Sequence, residues 1–123
     1  MEFFVVNFKS KERVIMIYEY RTYEVVPGRM GDLLKRFREH TLRLFDKHDM
    51  KVIAFFTPII GEATNHLTYI LAFENLAHRE TAWKNFMQDD EWQSVYEKSN
   101  SKGQIVVKVE NKIFAPTDFS PLQ

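Results

Sequence analysis

The spacing of apolar residues changes along the chain between period two and period 3.6, and the order of these changes restricts the fold more than any other feature. Residues 14–26, 51–60, 66–73 and 104–114 alternate as strands do, whereas residues 30–48 and 76–99 show helical spacing. The order is therefore strand, helix, strand, strand, helix, strand. It predicts an α+β, ferredoxin-like fold, βαββαβ, with both helices on one face of a four-stranded antiparallel sheet.

Both predicted helices have one apolar face. In the first helix the residues expected to be buried recur every three or four positions: Met30, Leu33, Leu34, Phe37, Thr41, Leu44, Phe45 and His48. Its charged residues, including Arg36 and Glu39, are expected to point outward. Asn75 is a favourable N-cap for the second helix. An acidic stretch at residues 88–91 then precedes a further short helix around Trp92.

The first strand, IYEYRTYEV, contains Glu19 and Arg21 in the middle of an aromatic run. Alternate residues of a strand share a face, so these two side chains lie on one side of the sheet. In the third strand, Tyr69 belongs to the apolar row expected under the helices, whereas His66 and Thr68 belong to a mixed row. We expect Glu19, Arg21, His66 and Thr68 to lie on the face away from the helices. The helices leave that face uncovered in the monomer, so it is either polar or paired with a partner.

A chain of 123 residues fits one domain. We assign that domain to residues 16–123 and treat residues 1–15 as an N-terminal extension. Two interpretations of the extension are open: it precedes a native start at Met16, or Glu2–Phe8 adds an edge strand. No segment approaches the length of a membrane span, so none is expected.

The charges and the absence of cysteine exclude several classes of function. Basic and acidic residues number 17 each, and the basic ones form no run, so no nucleic-acid partner is expected. Without cysteine there are no disulfides, thiolate nucleophiles or zinc–sulfur sites, which is typical of a cytoplasmic protein. No pair of histidines has metal-ligand spacing and no glycine-rich phosphate loop is present, so neither metal nor cofactor is expected.

Two histidines and one tyrosine are the candidates for acid–base chemistry. His48 ends the buried stripe of the first helix and His40 lies beside it, and an imidazole titrates near neutrality. Tyr69 is the third candidate. Six aromatic residues are expected to line a cavity between the helices and the sheet: Phe55, Phe56, Tyr69, Trp83, Phe86 and Trp92. The plainer interpretation of these six is a filled core.

Three segments resemble the NIPSNAP family: IYEYRTYEVVPGRM near the start, FENLAHRETAWKNFMQDDEWQ in the middle and ENKIFAPTDFSPL at the end. The resemblance runs from about residue 16 to residue 122. It implies the fold of the dimeric α+β barrels, in which two ferredoxin-like sheets meet back to back. Two positions depart from the family pattern: Asp49 stands where the family usually has glycine, and Asp90 where it usually has proline.

The resemblance implies no established set of catalytic residues. We therefore expect a homodimeric protein that binds a small apolar molecule or serves an assembly role. The alternative is a cofactor-independent, monooxygenase- or isomerase-like enzyme acting on an apolar or aromatic substrate between helices and sheet, as in related barrels. An enclosed apolar cavity reached by a polar side chain favours the enzyme, and a solidly packed gap favours an interaction role.

Overall fold

The computed structural model describes residues 15–123 and has the predicted order of elements. The strands are β1 (Ile17–Val25), β2 (Lys51–Phe56), β3 (His66–Phe73) and β4 (Val106–Phe114). The helices are α1 (residues 30–47), α2 (Leu76–Gln88) and α3 (Asp90–Ser99). The prediction of an α+β, ferredoxin-like fold is confirmed. The predicted extension at residues 1–15 falls almost entirely outside the described residues, as does the edge strand within it.

The sheet is antiparallel throughout, with the strand order β2-β3-β1-β4. In the register of β1 against β3, Glu19 lies opposite Leu71 and Arg21 lies opposite Tyr69. On the other side of β1, Arg21 lies opposite Asn111 of β4. The two inner strands are therefore β1 and β3, and β4 is an edge strand next to the charged part of β1.

The helices pack on one face of the sheet and enclose the main core. The buried apolar side chains of this core come from all the helices and from the inner strands: Leu33, Phe37, Leu44, Phe45, Tyr69, Leu71, Phe73, Phe86 and Trp92 among others. A small second cluster of Tyr18, Ile70 and Ala72 lies on the opposite face of the sheet. Within residues 15–123, no helix is long and apolar enough to cross a membrane.

The prediction that Glu19 and Arg21 lie on the face away from the helices is wrong. Residues directly opposite each other in an antiparallel pair share a face, and Leu71 and Tyr69 are buried under the helices. Their partners Glu19 and Arg21 therefore point toward the helices as well. Glu19 is 0% exposed to solvent.

Helix α1 contains a π-helical turn. Its three parts are an α-helix at Met30–Arg36, the π-turn at Phe37–Thr41 and an α-helix at Leu42–Lys47. The hydroxyl of Thr41, the last residue of the π-turn, donates a hydrogen bond to the carbonyl of Arg36 at 3.3 Å. The prediction that Arg36 points outward is wrong, because its side chain packs under α3 and the residue is only 6% exposed.

Candidate functional site

The carboxylate of Glu19 is the centre of a buried polar cluster between β1, β4 and α2. Its two oxygens accept hydrogen bonds from Arg79 Nε and Nη2, at 2.9 and 3.0 Å, and from the indole Nε1 of Trp83, at 2.9 Å. Asn111 Nδ2 and Arg21 Nη1 complete the set at 3.0 and 3.1 Å. Five donors from three elements thus converge on one carboxylate. Glu19, Arg21, Tyr23, Tyr69, Arg79, Trp83 and Asn111 are called the Glu19 cluster below.

These donors hold Glu19 in its charged form. Burial raises the pKa of the carboxyl group, but the hydrogen bonds from Arg79, Asn111 and Trp83 and the nearby charge of Arg21 outweigh burial. The net effect lowers the pKa of Glu19 from 4.5 to about 2. The cluster therefore keeps its ion pairs at any physiological pH.

Arg21 connects the carboxylate to a pair of tyrosines. Its Nε donates a hydrogen bond to Tyr69 Oη at 2.8 Å, and the hydroxyls of Tyr69 and Tyr23 lie 2.7 Å apart. The guanidinium carbon also lies 4.4 Å from the ring centroid of Trp83, in cation–π contact. Burial, with the nearby Tyr23, raises the pKa of Tyr69 well above 10, so its phenol stays protonated.

The protonation of Tyr69 sets the direction of the hydrogen bonds in this pair. Tyr69 is fully buried and already accepts from Arg21, and the acceptor for its own proton among the described residues is Tyr23 Oη. Tyr23 is partly exposed, and its own hydroxyl proton is then free to point toward a ligand. The guanidinium of Arg21 also lies beside Tyr23, with its central carbon 5.7 Å from the ring centroid.

The helices leave β4 uncovered on this face, so the Glu19 cluster opens to solvent at its edge. Val109 and Ile113 of β4 lie opposite Tyr23 and Glu19 in register, and they are 46% and 39% exposed. We call the surface formed by Tyr23, Arg21, Val109 and Ile113 the β4 cleft. It combines donors from Arg21 and Tyr23 with two apolar side chains on either side of Asn111, and such a surface suits a flat molecule that carries a hydrogen-bond acceptor.

The aromatic residues expected to line a cavity pack mainly against one another. Phe55 stacks on Tyr69 with ring centroids 4.7 Å apart, and Phe86 lies 4.7 Å from Trp92. The placement of Phe56 in this set is wrong. In register it pairs with Thr68, whereas Phe55 pairs with Tyr69, so Phe56 points to the opposite face of the sheet and is exposed.

The two candidate histidines lie apart from the Glu19 cluster. The Nε2 atom of His48 is 2.7 Å from the carboxylate of Asp89, the residue that caps α3. His40 belongs to the π-turn of α1 and faces a groove beside α3. Neither histidine hydrogen-bonds a member of the cluster in the part of the chain that the structure describes. Of the three candidate catalytic residues, only Tyr69 belongs to it.

The residues expected at a dimer contact are divided between the two faces of the sheet. Thr68 lies on the face away from the helices, where its hydroxyl is 3.1 Å from that of Thr22. His66 lies on the same face, opposite Glu24 in register. Glu19 and Arg21 belong to the other face, as described above.

Sequence reasoning missed three members of the cluster: Arg79, Asn111 and Tyr23. One signal was available, because Arg79 and Trp83 are four residues apart and therefore share one side of α2. The alternation of β4 likewise places Asn111 on the same side as Val109. Within the described range, no group of three or more histidine, aspartate or glutamate side chains is arranged to hold a metal ion.

Comparison with known proteins places this geometry in a family. The NIPSNAP family model matches residues 18–121. The mouse protein NipSnap homolog 3B is 33% identical over 76 residues, which are 62% of this chain and 30% of the mouse protein. The chain therefore spans about a third of the length of that relative.

Solved structures show the same similarity in three dimensions. A NIPSNAP family protein of unknown function from Agrobacterium tumefaciens is 29% identical with a TM-score of 0.80, and the match covers 90% of this chain and 96% of that one. A NIPSNAP-like domain protein from Burkholderia xenovorans is 25% identical with a TM-score of 0.78, covering 89% and 91%. A putative antibiotic biosynthesis monooxygenase from Bordetella bronchiseptica is 16% identical with a TM-score of 0.62, covering 84% and 98%. This last likeness shows the fold alone.

Proposed function

This chain belongs to the NIPSNAP family, and from that premise we propose that it is a homodimeric protein that binds a small organic molecule in the β4 cleft. The molecule has a flat apolar body and one carbonyl, carboxylate or phenolic oxygen. That oxygen accepts hydrogen bonds from Arg21 and Tyr23, while the apolar body lies on Val109 and Ile113. The cytoplasmic location predicted from the absence of cysteine stays part of the proposal.

The observation that carries the proposal is the fixed position of Arg21 at the inner end of an uncovered apolar floor. Its Nη1 and Nε groups are held by Glu19 and Tyr69, at 3.1 and 2.8 Å. The remaining donors therefore keep one orientation, and ligand binding loses little side-chain entropy. A structural ion pair would not require this opening to solvent. The exposed apolar residues of β4 beside it are the feature that a ligand would cover.

The dimeric part of the proposal rests on the opposite face of the sheet. Tyr20 and Phe114 are partly exposed there, with their rings in edge-to-face contact at 5.0 Å, and Phe56 is more exposed still. Monomers seldom leave several large aromatic groups together in water. A second copy of the same face would cover them, with His66 and Thr68 among the contacts.

A cofactor-independent enzyme is the second candidate. The fold shared with the putative monooxygenase from Bordetella bronchiseptica favours it, as does the tyrosine pair beside the β4 cleft. The raised pKa of Tyr69 opposes a role as general base, because its phenol holds its proton at neutral pH. A protonated Tyr69 therefore favours hydrogen-bond donation over proton abstraction.

Native mass spectrometry of protein purified from its own host tests these statements together. We expect a dimer that carries an additional mass of a few hundred daltons, on the scale of the molecules that such clefts hold. The variant Val109→Trp fills the cleft floor and should lose that mass, whereas Ile60→Trp, on the exposed turn between β2 and β3, should retain it.

Three results would reject parts of the proposal. A monomer at micromolar concentration rejects the homodimer. Ligand binding is rejected if the protein carries no additional mass and no fraction of host extract raises its melting temperature. Recovery of the bound molecule in a chemically changed form after incubation with the pure protein would instead establish the enzyme.

A further inference from the structure

A concave groove lies between α1 and α3, apart from the β4 cleft. It is a groove of about 750 Å³, within the range of small-molecule sites. Val95 and Ile105 supply apolar side chains, and Arg36, His40, Lys98 and Lys102 supply polar ones. We call this surface the basic groove.

Arg36 is the residue that distinguishes this groove from an ordinary surface depression. It is more than nine-tenths buried, and its hydrogen bond within residues 15–123 goes to the neutral hydroxyl of Ser99 rather than to a carboxylate. Nη1 donates to Ser99 Oγ at 3.1 Å, and Nε has no hydrogen-bond partner at all. The guanidinium carbon lies 5.4 and 5.6 Å from the rings of Trp92 and Tyr96.

The other two arginines near the core show what Arg36 lacks. Arg21 and Arg79 share the carboxylate of Glu19, so each buried positive charge faces a negative one. Burial lowers the pKa of Arg36, although nearby tyrosines offset part of that effect. Buried charges in proteins are usually paired, because removal from water is unfavourable for an isolated ion. An anion in the groove would supply the missing partner.

The rim of the groove increases the positive charge. Three acidic residues also line the groove: Asp32 pairs with Arg29, Glu91 pairs with Arg43, and Glu39 lies 4.0 Å from His40. Lys98 and Lys102 form no ion pair with another described residue. Five lysine and arginine side chains line the groove against three carboxylates, so its net charge is positive and attracts anions.

The π-turn of α1 forms one wall of the groove and contributes His40. The Nδ1 atom of His40 is buried and has no hydrogen-bond partner, and Nε2 is 4.0 Å from Glu39. Single π-turns within α-helices occur frequently at functional sites. Within residues 15–123, Arg36 Nε and His40 Nδ1 are thus buried nitrogens without a hydrogen-bond partner, one directly before the π-turn and one on it.

We propose that the basic groove binds a small organic anion, a carboxylate or a phosphate monoester with an apolar body. The anionic group lies against Arg36, with Lys98 and Lys102 at the rim. The apolar body packs on Val95 and Ile105. This site is separate from the β4 cleft, so it does not depend on the function proposed above.

Three matched probes test the inference by amide chemical-shift titration in NMR: phenyl phosphate, benzoate and the uncharged benzyl alcohol. We expect both anions to shift the amides of α3 and of residues 100–105, with affinities at least roughly tenfold above that of benzyl alcohol. The tighter of the two anions identifies the phosphate or the carboxylate as the preferred group. Raising the salt concentration should weaken both.

Variants then locate the site. Arg36→Gln should weaken anion binding roughly tenfold or more, because it removes the cation that contacts the ligand. Lys98→Gln, at the exposed rim, should weaken anion binding less. Because this variant leaves the core intact, it tests the site even if Arg36→Gln does not fold. Lys84→Gln makes the same charge change on α2, outside the groove, and should bind as the wild type does.

The inference is overturned if benzyl alcohol binds as tightly as the two anions. It is also overturned if the shifted amides lie outside α1, α3 and residues 100–105. Equal weakening by Lys84→Gln and Lys98→Gln would show a general charge effect and would reject the site as well.

Discussion

Replacing Glu19 by glutamine tests the central role of the buried carboxylate. The substitution keeps the size of the side chain and removes the negative charge that Arg21 and Arg79 share. Breaking a buried ion pair from one side typically costs about 3–5 kcal/mol. A pKa lowered from 4.5 to about 2 corresponds to about 3 kcal/mol of stability, at about 1.4 kcal/mol per pH unit. Both routes predict that Glu19→Gln lowers the free energy of unfolding at pH 7 by about 3 kcal/mol.

The pH dependence gives the sharper test. The pKa of Glu19 is lower in the folded state than in the unfolded state, so its stabilisation is complete above about pH 4.5 and disappears as the pH falls toward 2. The difference between wild type and Glu19→Gln should therefore shrink by about 2 kcal/mol between pH 7 and pH 3. Other carboxylates titrate equally in both proteins, and their contributions cancel in the difference.

Urea unfolding, followed by tryptophan fluorescence at one fixed protein concentration, measures both quantities. Trp83 donates directly to Glu19, so it reports on the cluster itself. Glu80→Gln is the matched control, because Glu80 also pairs with Arg79 but is 75% exposed, and its loss should cost under about 1 kcal/mol. If Glu19→Gln is as stable as Glu80→Gln at pH 7, or if its loss of stability is the same at pH 3, the charge of Glu19 does not stabilise the fold.

Three further substitutions test other parts of the structure. Tyr69→Phe leaves Arg21 Nε without its acceptor and should cost about 1–3 kcal/mol in the same urea assay; a neutral result would mean that water replaces the hydroxyl. Asp89→Ala removes the cap that accepts from the backbone of Glu91 and Trp92, and should cost about 1–2 kcal/mol, visible as a lower melting temperature; an unchanged value would contradict the capping role. Asp49→Gly should raise the free energy of unfolding by about 0.5–1 kcal/mol, because Asp49 has a φ of 63° that glycine adopts without strain; a loss of stability would show that the contact with His78 matters more.

The sequence predicts the order of the elements well, because the periodicity of apolar residues is a local property. It does not predict which face of β1 is buried. Both rows of IYEYRTYEV contain aromatic and polar residues, so alternation alone does not distinguish them. Which face of β1 is buried depends on the hydrogen bonds from Arg79, Trp83 and Asn111, which are 60 to 92 residues away from Glu19 in the chain. Burying a carboxylate is energetically unfavourable unless donors such as these form hydrogen bonds to it.

The candidate sites were harder to predict for a related reason. The sequence predicts the burial of Tyr69, because its row in β3 is continuously apolar. It predicts an exposed Arg36, because a regular α-helix places that residue beside Lys35 and Glu39 on the charged side. The π-turn that begins at Phe37 and the aromatic side chains of α3 change its environment. Neither effect leaves a periodic signal in the residues around it.

The π-turn at Phe37–Thr41 also has a consequence for comparing this chain with its relatives. A π-turn closes its hydrogen bond over five residues where an α-turn uses four, so it accommodates one additional residue without displacing the ends of the helix. Relatives whose first helix is regular throughout should therefore be one residue shorter between Arg36 and Leu42. An alignment with a single gap between Arg36 and Leu42 would keep the helix ends equivalent. The same gap would separate family members that have the additional residue from members that lack it.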